Sequence, residues 1–262
     1  MGLRLQFLRR RWDVERFGLT PRKLVQRVRP SATSGVVANS LPQSGTHLTE
    51  RALCLHPAYY RKLARVNWND LARLERLLDA QRPGQIVCSH TPHSERVVSL
   101  VGDRSGTRVL FSFRDPRDSL VSTAHYIYGR PEHHWYPALR KYPQLRDRLS
   151  VLIEGDPASG IPPIAKPLGL YAGWLDSDCH LVRFERLVDP TTRTESLQSL
   201  FGYLGTPLDA GMAEQIGRAL ISPASLTFRR GQIGEWQNVF DEALRGRFES
   251  VAGEWMRRYG YA

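Results

Sequence analysis

Cysteine is sparse in this chain. Cys54, Cys88 and Cys179 are widely spaced, with no CxxC pair, which excludes a disulfide scaffold or a cysteine zinc ribbon. Long apolar runs are missing as well: no stretch approaches the roughly 18 continuous apolar residues of a spanning helix. Lysine is scarce, with four residues (Lys23, Lys62, Lys141, Lys166) against 33 arginines. No G-x-x-x-x-G-K-S/T pattern occurs, which argues against an ordinary ATPase or GTPase. Internal repeats and low-complexity tracts are absent too.

What remains is a globular composition of 262 residues, 41% apolar and 24% charged. That length is ample for a real core in one large α/β domain. The formal charge is +11, and it has a location. Nine basic residues stand against Asp13 and Glu15 in the first 30, so that arm carries +7 and the other 232 residues only +4. The expected division is therefore a basic N-terminal arm, 1–30, and a domain, 31–262. No apolar core follows the basic residues of the arm, so it does not read as a secretory signal. Gln6 stands where a myristoylation signal needs Ser or Thr. Leu3, Leu5, Phe7, Leu8 and Trp12 among arginines suit either a solvated helix on the domain or weak contact with a membrane surface. A nucleic-acid-binding arm would show steep salt dependence, but no nucleic-acid motif accompanies it, so no nucleic-acid partner is expected. The expected location is cytoplasmic, and the oligomeric state stays open.

From about residue 34 apolar strands alternate with helical stretches, the pattern of an α/β fold with a mainly parallel sheet. Candidate strands are 35–41, 85–89, 108–113 and 180–184. Candidate helices are 46–55, 68–81, 117–127, 168–176, 193–204, 210–220 and 241–259. Gly205, Thr206 and Pro207 end one helix, and Asp209 is placed to cap the next. Residues 129–142, rich in His, Trp and Tyr, and 156–167, rich in Pro and Gly, resist regular assignment. In α/β folds such segments are surface loops and sometimes lids.

Four segments carry chemistry. In 35–48 a strand runs through Pro42, Gln43, Ser44 and Gly45 into a helix beginning Thr46-His47-Leu48. That turn offers backbone N–H groups and the positive helix end to an anion. In 108–122 a strand ends in Arg114, Pro116 starts a helix, and Ser122 lies eight residues on, so a guanidinium and a hydroxyl can grip one phosphate. In 228–236, Arg229 and Arg230 stand between aromatics, followed by Gly231, as a basic loop. His90 ends a strand, where α/β ligands collect, and its ordinary pKa suits a general base. Each has a plainer structural reading when taken alone.

In this order and spacing the segments resemble the PAPS-dependent sulfotransferase family, PAPS being 3′-phosphoadenosine 5′-phosphosulfate. Pro42-Gln-Ser-Gly-Thr-His47 is similar to the 5′-phosphosulfate loop, and Arg114-Asp-Pro-Arg-Asp with Ser122 to the 3′-phosphate motif. Phe184-Glu-Arg-Leu is similar to the family's Tyr-Glu-Asp-Leu near the adenine. Arg229-Arg-Gly231…Gly234-Glu-Trp236 is similar to its C-terminal Arg-Lys-Gly…Gly-Asp-Trp motif. The resemblance spans roughly residues 34–240.

It implies a three-layer sandwich around a central, mainly parallel sheet, the P-loop-NTPase-like sulfotransferase fold. It also implies an enzyme that moves the sulfuryl group from PAPS to a hydroxyl, or an amine, of a small molecule such as a natural product. The by-product would be 3′,5′-ADP (PAP), and no metal is required. Ile86-Val-Cys-Ser-His90-Thr-Pro92 matches the strand whose histidine is the family's base. The implied nucleotide contacts are Gln43, Ser44, Gly45, Thr46, His47, Leu48, Arg114, Ser122, Phe184, Arg229, Arg230 and Gly231. For the acceptor the expected wall is His93, Tyr126, Tyr128, His134 and Trp135, suited to an apolar or ring-bearing molecule. His90/His93 and His133/His134 lack a third ligand of convincing spacing, so metal is not expected.

Three positions depart from the family pattern. Gln43 replaces a lysine that stabilises the leaving phosphate, and losing such a contact costs about 100-fold or more in rate. Either another cation substitutes, with Arg230 or Arg229 first in line, or turnover is slow, or the chain is a non-catalytic PAPS- or PAP-binding protein. Leu48 replaces an adenine-stacking Trp and Phe184 a Tyr, leaving fewer polar handles on adenine.

Overall fold

A computed structural model describes residues 33–66, 70–104, 106–221 and 232–261. The basic arm 1–30 and the triplet Arg229, Arg230, Gly231 lie outside those residues. Five strands form one sheet: β1 (Gly35–Ser40), β2 (Tyr60–Val66), β3 (Gln85–Ser89), β4 (Thr107–Phe113) and β5 (His180–Arg183). Their order is β2-β3-β1-β4-β5 and every pair is parallel. Parallel neighbours need crossovers, and helices supply them. These are α1 (Thr46–Leu55), α2 (Leu71–Asp79), α3 (Glu95–Gly102), α4 (Pro116–Tyr128), α5 (Tyr136–Leu139) and α6 (Leu145–Glu154). They continue as α7 (Ala165–Ala172), α8 (Phe184–Val188), α9 (Pro190–Tyr203), α10 (Ala210–Leu220) and α11 (Glu242–Arg258).

The two-residue period of the strands sorts their side chains into two cores. Val36, Ala38, Ile86, Cys88 and Leu110 pack with Leu53 of α1, Leu200 and Phe201 of α9 and Ile216 of α10. Val37, Val87, Val109 and Phe111 turn the other way, onto Leu74, Val97, Leu120, Leu149, Leu168 and Phe248. The result is the expected three-layer α/β sandwich. Because β1 lies between two strands with a helical layer on each face, all six of its residues are buried.

Local signals placed most helix starts. Asp209 accepts the N–H of Met212 at 2.7 Å, the cap expected of it. Pro116 and Pro190 open α4 and α9, behind Asp115 and Asp189 whose side chains cap them.

Five elements were not expected: β2, α3, α5, α6 and α8. Residues 60–66 read Tyr-Arg-Lys-Leu-Ala-Arg-Val, too basic to resemble an inner strand, but β2 is an edge, where cationic residues discourage pairing with another chain. The strand expected over 180–184 stops at Arg183, and Phe184 begins α8 instead. The helix expected over 68–81 is α2, capped by Asp70, which accepts from Arg73 N at 3.0 Å. The helix expected over 168–176 divides into α7 and a 3-10 turn, Gly173–Asp176. Within the two irregular stretches the chain makes α5, a 3-10 turn at Pro157–Ser159 and an antiparallel bridge between Asp156 and Ile161.

Phe111 is fully buried in β4, with its ring centroid 6.4 Å from that of Tyr171 and 6.3 Å from that of Trp174. Phe111→Ala is expected to cost about 3–5 kcal/mol of stability. The check is a lower denaturant midpoint at unchanged slope.

Candidate functional site

The carboxyl ends of β1, β3 and β4 lie side by side. Asn39 pairs with Ser89, and Ser40 with Ser112, so the next residues along each strand meet at one edge of the sheet. The chain reverses its direction across the sheet between β1 and β4, the position where open α/β sheets hold ligands.

After β1 the chain turns sharply. Ser44 N donates to Leu41 O at 3.2 Å, Gln43 adopts φ 61° and Gly45 φ 91°. For a glutamine the left-handed region costs roughly 1–2 kcal/mol, and such strain collects at functional turns. Gly45 caps α1 with no side-chain acceptor, and the first turn holds no acidic residue. The N-terminal N–H groups of a ten-residue helix therefore meet the turn without a carboxylate to repel an anion. Ser44 is buried, with its hydroxyl 3.2 Å from that of Ser119. His47 lies 3.5 Å from buried Glu50. Leu48 packs against the α1–α9 core.

Two residues that sequence reasoning passed over hold His90. Buried Asn39 accepts the N–H of Thr91 at 2.8 Å and the hydroxyl of Ser89 at 2.8 Å, and its amide donates to Thr91 O at 2.9 Å. One side chain thus ties down the chain on both sides of His90. Tyr171 and Trp174 add bonds to His90 O and Thr91 O at 2.9 and 3.0 Å. Ser40 then orients the ring: His90 Nδ1 lies 3.0 Å from Ser40 O and 3.1 Å from Ser40 Oγ. A carbonyl only accepts, so in neutral His90 this contact puts the proton on Nδ1 and the lone pair on Nε2. The same Ser40 hydroxyl is 2.6 Å from Thr46 Oγ1 at the start of α1. The visible signal was Asn39-Ser40, two polar residues ending an otherwise apolar buried strand.

Arg114 leaves β4 on the other side of the turn. Its guanidinium carbon is 4.3 Å from the centroid of the Phe184 ring, an arrangement in which the cation meets the negative ring face. Phe184 in turn covers Gly45, where an added Cβ would stand 2.6 Å from Cδ2. Three separately read motifs are thereby in contact. Arg114 also donates to Gln232 O at 2.7 Å and lies 3.4 Å from Asp118 Oδ2. Its Nε is buried with no partner among the described residues. Ser122 donates to Gln43 Oε1 at 3.3 Å, which turns the donor end of that amide elsewhere.

Of the residues expected to form an acceptor wall, His134 and Trp135 meet, with ring centroids 4.8 Å apart, and Tyr126 joins them through His133 at 5.9 Å. His93 packs edge-on to Trp174. Tyr126 and Tyr128 are 39% and 38% exposed and lie against Arg130 and Arg148. His134 is exposed and stacks on His133, whose pKa burial and that neighbour push down. Trp135 alone of these lines the apolar cavity of about 90 Å³ beside the turn. There it joins Leu41, Pro42 and Leu120, together with Pro162, Ile164 and Pro167 from the second irregular stretch. Among the described residues the hydroxyls of the lining belong to Ser119 and Thr123, and both already have partners.

Among the described residues no three His, Cys, Asp or Glu side chains gather to hold a metal ion. No described helix is long and apolar enough to cross a membrane.

An all-parallel sheet in this order, with the turn and helix start after β1, is the sulfotransferase α/β fold. No protein-family model and no curated protein matches the sequence. Solved structures do match. The mouse sulfotransferase SULT7A1 complexed with PAP aligns over 94% of this chain and 95% of its own, at TM-score 0.62 and 18% identity. Retinol dehydratase in complex with androsterone and the inactive cofactor PAP covers 94% and 93%, at TM-score 0.56 and 14% identity. Retinol dehydratase with retinol and PAP covers 87% and 82%, at TM-score 0.57 and 15% identity. At these identities the likeness is one of fold.

Gly45→Ala is expected to strain the turn and displace the Phe184 ring, at a cost of about 1–2 kcal/mol from the left-handed backbone alone. A drop of several degrees in the thermal unfolding midpoint checks it.

Proposed function

We propose that the chain is a PAPS-dependent sulfotransferase whose acceptor is an uncharged, largely apolar alcohol or phenol. The observation that carries this reading is Ser40. Its hydroxyl lies within hydrogen-bond distance of both Thr46, on the anion-binding turn, and His90, the expected base. The fold and the PAP bound in the similar structures support the donor. The buried Nε of Arg114, a cationic donor with no acceptor among the described residues, fits a phosphate.

In this reading His90 Nε2 takes the proton of the acceptor hydroxyl as its oxygen bonds to sulfur and the bond from sulfur to the phosphate oxygen breaks. The products are a sulfate ester and 3′,5′-ADP. The turn Gln43–His47 holds the 5′-phosphosulfate through backbone N–H groups. Arg114 and Ser122 hold the 3′-phosphate, joined by Arg229, Arg230 and Gly231. Phe184 packs on the adenine side. The apolar cavity lined by Trp135 receives the acceptor body and excludes charged acceptors, because a charge there would be stripped of water without a partner.

Gln43 favours a second reading, a non-catalytic PAPS- or PAP-binding protein. Its amide donates a hydrogen bond but brings no charge to the leaving phosphate.

Incubation with PAPS and a panel of alcohols, phenols, sugars and amines, following 3′,5′-ADP, is expected to show turnover with apolar hydroxyl compounds. On such an acceptor His90→Ala should lose about 100-fold or more in rate with PAP affinity retained; undiminished activity removes His90 as the base. Gln43→Lys is expected to raise kcat, by up to about 100-fold if the missing charge limits turnover. An unchanged kcat means that other cations already supply the charge. Tight PAP binding with no transfer to any acceptor supports the non-catalytic reading.

A further inference from the structure

Asp118 is completely buried at its side chain and occupies the first turn of α4, four residues after Arg114. Both of its oxygens are engaged. Oδ2 accepts the N–H of Gly234 at 2.8 Å and faces Arg114 at 3.4 Å. Oδ1 accepts the N–H of Trp236 at 3.0 Å. Arg114 itself donates to Gln232 O in the same segment. Three alternate residues of one chain segment, 232, 234 and 236, are thus pinned to an arginine and a carboxylate on one face of the α4 start. The Trp236 indole is held further by Arg117, whose guanidinium carbon stands 3.8 Å from the ring centroid and pairs with Asp115 at 2.7 Å. Among the described residues Arg114 is the one cation paired with Asp118.

A buried negative charge beside a phosphate-binding arginine is electrostatically the wrong sign, because it lowers the potential felt by an incoming phosphate. What it supplies instead is geometry. Arg114 has a planar fork of five donors, and fixing one corner sets the direction of the others. Asp118 and Gln232 O hold that corner, while Phe184 holds the plane.

Resting on the sulfotransferase reading, we infer that Asp118 is a positioning residue that gives the nucleotide site its preference for a 3′-phosphate. It aims Arg114 and fastens the Gln232–Trp236 segment to it. Charge and positioning predict opposite signs. Replacing Asp118 with Asn removes the opposing charge but keeps the shape. The amide turns one acceptor into a donor facing N–H groups already directed at it, so at least one backbone tie is lost.

The experiment measures Kd for 3′,5′-ADP and for 5′-AMP, which lacks the 3′-phosphate, with the wild-type chain and Asp118→Asn. The expected result is a 3′,5′-ADP affinity weakened about 10-fold or more in the variant, with 5′-AMP affinity within twofold. Equal loss for both ligands makes Asp118 merely structural and overturns the inference, as does unchanged or tighter 3′,5′-ADP binding. Should the variant fail to fold, amide exchange at Gly234 and Trp236 in the wild type decides. Protection raised about 10-fold by 3′,5′-ADP and not by 5′-AMP supports the inference, and equal protection by both overturns it. A wild-type chain that shows no preference between the two nucleotides overturns the sulfotransferase reading and the inference together. Preference kept by the variant overturns the inference alone.

Discussion

Parallel strands cannot be joined by a tight turn, so β1 reaches its neighbours only through helical crossovers, and its simultaneous pairing with β3 and β4 is the constraint on which the site depends. That pairing puts three strand ends in one row. The register of Asn39 with Ser89 and of Ser40 with Ser112 brings His90 to one side of the turn after β1 and Arg114 to the other. A one-residue slip of either pair would turn every side chain of the slipped strand to the opposite face and separate those groups. Burial of β1 on both faces makes such a slip costly, because two apolar cores specify the register at once.

Polar groups at the end of that buried strand do the local work. A buried side-chain amide or hydroxyl without partners costs a few kcal/mol. Asn39 and Ser40 avoid that cost by bonding to the chain around His90 and to Thr46. The requirement to satisfy them is thus also what orients the histidine. Asp118 follows the same logic on the other side, where a buried carboxylate is tolerated because two backbone N–H groups and Arg114 surround it. Positioning in this site comes from the bonding needs of buried groups.

Much of the architecture was legible from pattern. The alternation of apolar strands and helices, Pro116 ahead of α4 and Asp209 ahead of α10 all correspond to features of the fold. Residues 60–66 were not legible as β2, because a basic edge strand lacks the apolar signature of an inner one. The loops beside the turn were legible only as two irregular stretches. Aromatic composition pointed to Tyr126, Tyr128 and His134; the rings of Tyr126, His133, His134 and Trp135 touch in series, with Arg130 over Tyr126 and Arg148 over Tyr128. The apolar cavity beside the turn draws on Trp135 of the first stretch and on prolines of the second.

Residue order alone determined that a Pro42–Gly45 turn leads from a strand into a helix, that Arg114 ends another strand, and that position 43 carries an uncharged amide. These are local matters, set by backbone freedom, capping and residue type. Tertiary structure alone decided that Phe184 lies between Gly45 and Arg114, that Ser40 joins Thr46 to His90, and that Asp118 holds residue 232's neighbours beside the arginine. The reason is that each of these contacts spans a crossover or more of chain. Spacing in sequence sets which residues share an element, whereas strand pairing and the satisfaction of buried polar groups set which elements meet.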